Sequence, residues 1–320
     1  MPEQQDSPNA SGVTGEIRKN IARDISTSRS EQSPLSGQKI GISISDNEEL
    51  GALGYSIVHI RDLTIEIARQ LLIDDAHLVY GGDLRREGYT EIFSQLSYQY
   101  RAIRDIRQQH CTNYFSFPIH LNITKSQELE FKKNRVSIEK VGFPADLHID
   151  QPKFINPDSP ENKYIWARSL SYMRETMIRA TDARILIGGK LNHYSGKMPG
   201  VLEEGILALQ LSKPLYLVAG LGGATAAFVG ALTGRPFTFS TDSFHQSADQ
   251  LAFTKYYNEH YPNDPIDFKS VETLLAQIGL EGLSKNNGLI PEENERLFYS
   301  PHLPEIVYYI SKGLNRIAGS

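Results

Sequence analysis

Between Asp182 and Gly234 the sequence runs DARILIGGK, a polar loop, MPGVLEEGILALQ and KPLYLVAGLGGATAAFVGALTG. The order is strand, glycine turn, helix, strand, glycine turn, helix. Each strand is a short apolar run, followed at once by glycines and then by a helical period. Such a chain is committed to a parallel α/β sheet, because a strand that is apolar along its whole length must be covered on both faces. In these sheets ligands sit outside the carboxyl ends of the strands. Glycines there let the backbone approach a ligand, and helix N-termini behind them attract anions. Gly188, Gly189, Gly200, Gly220, Gly222 and Gly223 therefore map to one rim, together with Lys190, Lys197, Glu203 and Glu204.

The same grammar opens the folded part. KIGISIS (39–45) reads as a buried strand ending at Ser45, and HIRDLTIEIARQLLID carries Ile60, Leu63, Ile67 and Leu71 at helical spacing. AHLVYGGD (76–83) is a second strand ending in Gly81, Gly82 and Asp83, and a further helix starts at Gly88. All four strands belong to one sheet. NYFSFPIH (113–120) and RVSIEKVGF (135–143) read as strands, with FKKNR between them as a charged surface turn. A long helix over about 162–181 carries one apolar stripe, Trp166, Leu170, Met173 and Met177, with Arg174 beside it. RPFTFS (235–240) predicts another strand, and from about 242 the chain is mostly helical. The expected fold class is α/β and Rossmann-like: a mostly parallel sheet with helices on both faces, in one domain over 38–320. Residues 1–37, including the weakly amphipathic GEIRKNIARDIS (15–26), read as a disordered leader.

Composition removes several classes of function. The net charge of -5 over 320 residues argues against nucleic acid as the main partner. One cysteine, Cys111, cannot form an internal disulfide, which fits a reducing, cytoplasmic compartment. The N-terminus has no apolar signal segment. Pro214–Gly234 is uncharged and long enough to imitate a membrane span, but Gly-Leu-Gly-Gly at 220–223 divides it into a strand and a helix, each too short to cross. No HExxH or GxSxG pattern is present. Asp146-x-His148-x-Asp150 has no fourth ligand in view, so no metal is expected.

Four glycine turns after four strands point to an anionic ligand of nucleotide type, although none fits GxGxxG or the P-loop pattern. Arg174 reads either as a rim cation reaching a phosphate or as a structural ion-pair partner. Glu203 and Glu204 near a helix start are favoured by the helix dipole in any case. They could also hold ribose hydroxyls or stabilise an oxocarbenium ion during N-glycosidic cleavage.

Taken as a set, Ser169-Leu170, Met173-Arg174, Asp182-Ala183-Arg184-Ile185, Gly188-Gly189-Lys190, Gly196-Lys197-Met198-Pro199-Gly200, Glu203-Glu204, Lys213-Pro214-Leu215-Tyr216-Leu217 and Gly220-Leu221-Gly222-Gly223-Ala224 resemble the SLOG superfamily. That superfamily includes the LOG lysine-decarboxylase-like proteins, the SMF/DprA proteins and the N-terminal regions of TRPM channels. The strongest similarity is to prokaryotic SLOG domains linked to TIR or sirtuin-type domains in antiphage NAD signalling. The resemblance implies a pocket for an ADP-ribose-type nucleotide, including cyclic ADP-ribose isomers, with no other cofactor required. It implies that Arg174 clamps a phosphate, that Lys190 or Lys197 meets the pyrophosphate, and that Glu203 or Glu204 holds a ribose. Gly81, Gly82, Asp83, Gly220, Gly222 and Gly223 would line the cradle, and Ser45, Gly188, Gly189 and Gly200 belong to the same candidate site. It also implies a homo-oligomer. With 38 residues ahead of the first strand and no TIR or sirtuin-type segment found, a sensor of this kind is expected to have its effector on a separate chain or to have assembly itself as its output.

The hydrolytic branch carries PGGxGTxxE, whereas this sequence reads Pro199-Gly200-Val201-Leu202-Glu203-Glu204. That departure favours a sensor with no catalytic residue over an N-glycosidase or phosphoribohydrolase using Glu203 and Glu204. A partner-docking protein with a vestigial pocket is the third reading.

Overall fold

A computed structural model describes residues 33–82, 84–100, 109–150 and 152–319. Almost all of the expected leader, and the candidate Asp83, lie outside the described residues. The compact unit runs Leu35–Ser320, and Leu35, in the stretch read as leader, is buried in its core.

Six strands form one parallel sheet: β1 (Lys39–Ser45), β2 (His77–Gly81), β3 (Cys111–Ser116), β4 (Val136–Val141), β5 (Ala183–Gly188) and β6 (Leu215–Val218). Their order is β4-β3-β2-β1-β5-β6, and every pairing is parallel. The chain therefore winds outward from β1 in one direction, then returns to its other side with β5. That reversal makes the carboxyl ends of β1 and β5 the topological switch point, where a crevice opens in doubly wound sheets. Ser45 of β1 pairs there with Gly188 of β5.

Ten α-helices accompany the sheet among the described residues: α1 (Ile57–Ile73), α2 (Tyr89–Tyr100), α3 (Lys125–Lys133), α4 (Pro160–Arg179), α5 (Gly200–Gln210), α6 (Gly223–Leu232), α7 (Ala248–His260), α8 (Phe268–Ser284), α9 (Pro291–Tyr299) and α10 (Leu303–Ala318). Strand residues alternate between the two faces. Ile40, Ile42 and Ile44 pack with Ile60 and Ile67 of α1 and with Ile310 and Leu314 of α10. Leu186, Leu215 and Leu217 pack on the opposite side with Met173 and Met177 of α4, Leu202 of α5 and Phe228 of α6. Both faces are thus covered, as the unbroken apolar runs required.

Two local expectations are corrected. RPFTFS forms no strand; it is an irregular segment ending in a 3-10 turn at Phe239–Thr241. Pro236 has no N–H to give a ladder. The next amide, Phe237 N–H, donates to the Glu272 side chain instead, while Phe237 and Phe239 pack edge-on against Phe268. In FKKNR the turn is confined to Asn134 and Arg135, and the first three residues close a helix: Thr124 and Gln127 form a capping box at its start, and Phe131 is buried at its end.

Phe228 is fully buried between α5 and the sheet, where an added Cβ on Gly205 would approach its ring to 2.6 Å. Phe228→Ala is expected to lower stability by about 3–5 kcal/mol, read from urea denaturation of the full chain.

Candidate functional site

The floor beneath the switch point is ionic. Gly41, Ser43 and Ser45 of β1 and Arg184 of β5 face the side of the sheet covered by α4 and α5, opposite to their isoleucine neighbours. Arg184 is fully buried. Its Nη1 donates to Glu204 Oε2 at 2.8 Å and to Ser43 Oγ at 2.8 Å, and Ser43 Oγ donates to Glu204 Oε2 at 2.5 Å. Burial pushes the Arg184 guanidinium below its ordinary range, and Glu204 pulls it back. Arg174 sits beside this group. It pairs closely with Glu203, and its Nε lies 3.6 Å from Glu204 Oε1. Ser171 Oγ also donates to Glu203.

Two guanidinium groups and two carboxylates therefore neutralise one another between β1, β5, α4 and α5. Small residues make the space. A Cβ on Gly41 would come within 2.6 Å of Arg184, and a Cβ on Gly200 within 2.6 Å of Arg174. Arg174 is buried within the α4 stripe instead of flanking it. It is committed to Glu203 and Glu204, and Gly200 is small because Arg174 lies against it. Arg184 and Ser43 were not singled out from sequence, although a charged residue inside an apolar strand calls for a buried partner.

Above this floor the rim is built from backbone. Gly189 N–H donates to Ser45 O at 2.8 Å, Lys190 N–H to Ser45 Oγ at 3.0 Å, and Ala224 N–H to Gly189 O at 2.9 Å. Gly189 has φ 102°, and a Cβ there would strike Val201 and Ala224 at 2.8 Å. That close approach brings the starts of α5 and α6 together at the end of β5. Most cradle amides thus already have partners within the chain. Gly223 N–H, at the start of α6, differs: it donates to the exposed Glu49 side chain, at 2.6 Å from Oε2. The amide end of α6 thus already holds an anionic oxygen, contributed by the loop after β1. Asn47 of the same loop donates from Nδ2 to Leu221 O at 3.0 Å. Lys190 follows Gly189 on this rim, and its ammonium makes no hydrogen bond or ion pair among the described residues.

The remaining candidates separate from the rim. Lys197 is buried and pairs with Asp264. With Glu175, Glu203, Asp264 and Asp267 it lines a cavity of about 460 Å³, whose acidic wall opposes a phosphate. Gly82 packs on the Phe115 ring, where a Cβ would approach to 2.7 Å, while Gly81 and Gly220 make only ordinary contacts. Cys111 is fully buried, and desolvation pushes its thiol up to about 12. Asp146 pairs with Arg168 at 2.8 Å. Among the described residues, no cluster of three or more His, Cys, Asp or Glu could hold a metal, and no helix is long and apolar enough to cross a membrane.

Breaking a buried ion pair from one side leaves an uncompensated charge and costs about 3–5 kcal/mol. Arg174→Gln is therefore expected to destabilise the fold by about that amount in chemical denaturation, with Arg174→Met/Glu203→Met recovering much of the loss. Arg174→Glu, which adds a third carboxylate to the pocket, is expected not to fold.

The sequence matches the family model described as SLOG cluster2 over residues 34–297. No curated protein matches it. A family match over most of the chain, on a six-stranded parallel sheet with these glycine turns at its switch point, points to a nucleotide-related function. The chain belongs to the SLOG cluster2 family of the SLOG superfamily.

Proposed function

We propose that this protein binds an ADP-ribose-type nucleotide, ADP-ribose or a cyclic isomer, at the β1/β5 switch point and releases it unchanged. The reading is carried by the Gly223 amide at the start of α6, which holds the Glu49 carboxylate at 2.6 Å. An anion site satisfied by an exposed side chain can exchange that side chain for a phosphate oxygen, whereas amides tied to β1 cannot be released as readily. Lys190, a cation with no ion-pair partner among the described residues, supplies positive charge on the same rim. In this proposal the ribose and the second phosphate would meet the glycine turns at 188–189 and 220–223.

Glu203 and Glu204 support the sensor reading by being occupied. Each is paired with a buried arginine. A carboxylate committed to a buried guanidinium is a poor general acid and a poor nucleophile. In this proposal the output is assembly of the chain or contact with a separate effector such as a TIR protein, in the antiphage setting that the resemblance implies. Such coupling requires that the ligand bind one assembly state more tightly than the other.

Calorimetric titration with ADP-ribose, cyclic ADP-ribose isomers, NAD and AMP, followed by chromatography of each spent mixture, tests this reading. Saturable ADP-ribose binding with the ligand recovered intact is expected; cleaved ligand would replace the sensor with a glycosidase. Lys190→Glu should weaken ADP-ribose binding at least tenfold, because it removes a charge-assisted contact and adds repulsion. Glu49→Gln should strengthen it several-fold. Light scattering with and without the bound ligand reads the assembly.

A further inference from the structure

Beside the rim, on the α1 side of the sheet, is a small cavity of about 110 Å³. Its walls are the rings of Tyr55 and His59 and the side chains of Leu63, Leu221, Leu303 and Ile306, with the Asp62 carboxylate at its edge. Ligand pockets for whole drug-sized molecules run from about 300 Å³ upward. A cavity this small takes one ring system of a ligand, not the whole of it. Its apolar wall and two rings suit a flat heteroaromatic group.

The polar edge is more selective than the wall. Ser56 N–H donates to His59 Nδ1 at 2.9 Å, so Nδ1 is the acceptor and the ring proton of the neutral imidazole sits on Nε2. Asp62 is exposed, and its carboxylate makes no hydrogen bond or ion pair among the described residues. His59 Nε2–H, a donor, and the Asp62 carboxylate, an acceptor, thus stand together in the lining, beside Ser300 and the Tyr55 hydroxyl. Adenine offers the complementary pair, an acceptor at N7 and a donor amine at N6. A 6-oxopurine puts an oxygen where the amine would be and faces Asp62 with repulsion.

Position ties the cavity to the anion site. Leu221 lines the cavity, and Gly223 N–H holds the Glu49 carboxylate. They are two residues apart, a span of at most about 7 Å. A base seated against Leu221 and a phosphate on Gly223 would belong to one nucleotide.

We propose that this cavity is the base site of the bound nucleotide and that it selects adenine through His59 and Asp62. The inference deepens the nucleotide reading and rests on it for the phosphate half of the ligand. It is tested by titrating the full chain with AMP, IMP and inorganic pyrophosphate. The native protein should bind AMP at least tenfold more tightly than IMP and than pyrophosphate. Asp62→Ala, on the exposed side of α1, should reduce the AMP preference over IMP about tenfold. Leu303→Trp, at a half-buried position, should plug the cavity. It should weaken AMP at least tenfold while leaving pyrophosphate affinity and the circular-dichroism melt unchanged. Should Leu303→Trp fail to fold, Tyr55→Ala, which removes a ring from the wall, replaces it with the same expectation. AMP binding that none of these changes touches would overturn the base site while leaving nucleotide binding intact. AMP binding that depends on the cavity without any binding of ADP-ribose would keep the base site and remove the ADP-ribose reading. Pyrophosphate binding as tight as that of AMP would overturn the base site, and absence of all binding would overturn both.

Discussion

Two arginine side chains must be kept charged in the interior of this protein, and the geometry around the sheet centre follows from that. A guanidinium cannot shed its proton to escape burial, so Arg184 and Arg174 need anionic partners in place. Glu204 and Glu203 supply them from the first turns of α5. The helix can only deliver both if it starts at Gly200 and lies close to β5. Closeness in turn demands small residues where the guanidinium groups pass, and these are Gly41, Ser43, Gly196 and Gly200. The ion network thus fixes where α5 begins, and α5 helps define the switch-point rim.

This division of labour separates scaffold from site. The acidic and basic residues with the most obvious functional chemistry are spent on holding α4 and α5 to the sheet. The groups that the proposal assigns to a ligand are fewer: one amide held by Glu49, the Lys190 ammonium, and the cavity beside Leu221. Such a site costs little to reorganise. Exchanging Glu49 for a phosphate swaps one charged acceptor for another at the same helix end and leaves the ion network untouched. In the proposed exchange the loop that carries Asn47 and Glu49 would be the element that answers to ligand, because both side chains bridge to the 220–223 turn.

Much of the fold was legible in the sequence, for a physical reason. Strands such as ARILIG and LYLV are buried at every residue, so their burial is written as continuous apolar runs followed by glycine. RPFTFS imitated that signal because Pro236 and three buried or half-buried neighbours look like an edge strand; the Phe237 amide's bond to Glu272 and the packing against Phe268 distinguish the two. The site was less legible. Arg174, Glu203 and Glu204 look the same in sequence whether they meet a ligand or one another, and only distance separates the cases. Arg184 was concealed inside the apolar run that identified β5. Glu49 and Asp62 gave no signal, since an acidic residue in a loop or on an exposed helix is ordinary until its neighbours are known.

The central claim, that ligand phosphate replaces Glu49 at the start of α6, is tested most directly by hydrogen–deuterium exchange with and without ADP-ribose. The account predicts added protection at residues 188–190 and 220–224 with faster exchange across 46–54, as the loop gives up its hold on Gly223. Protection confined to α5 and the 263–271 segment would contradict it, and would move the ligand to the acidic cavity around Lys197 and Asp264.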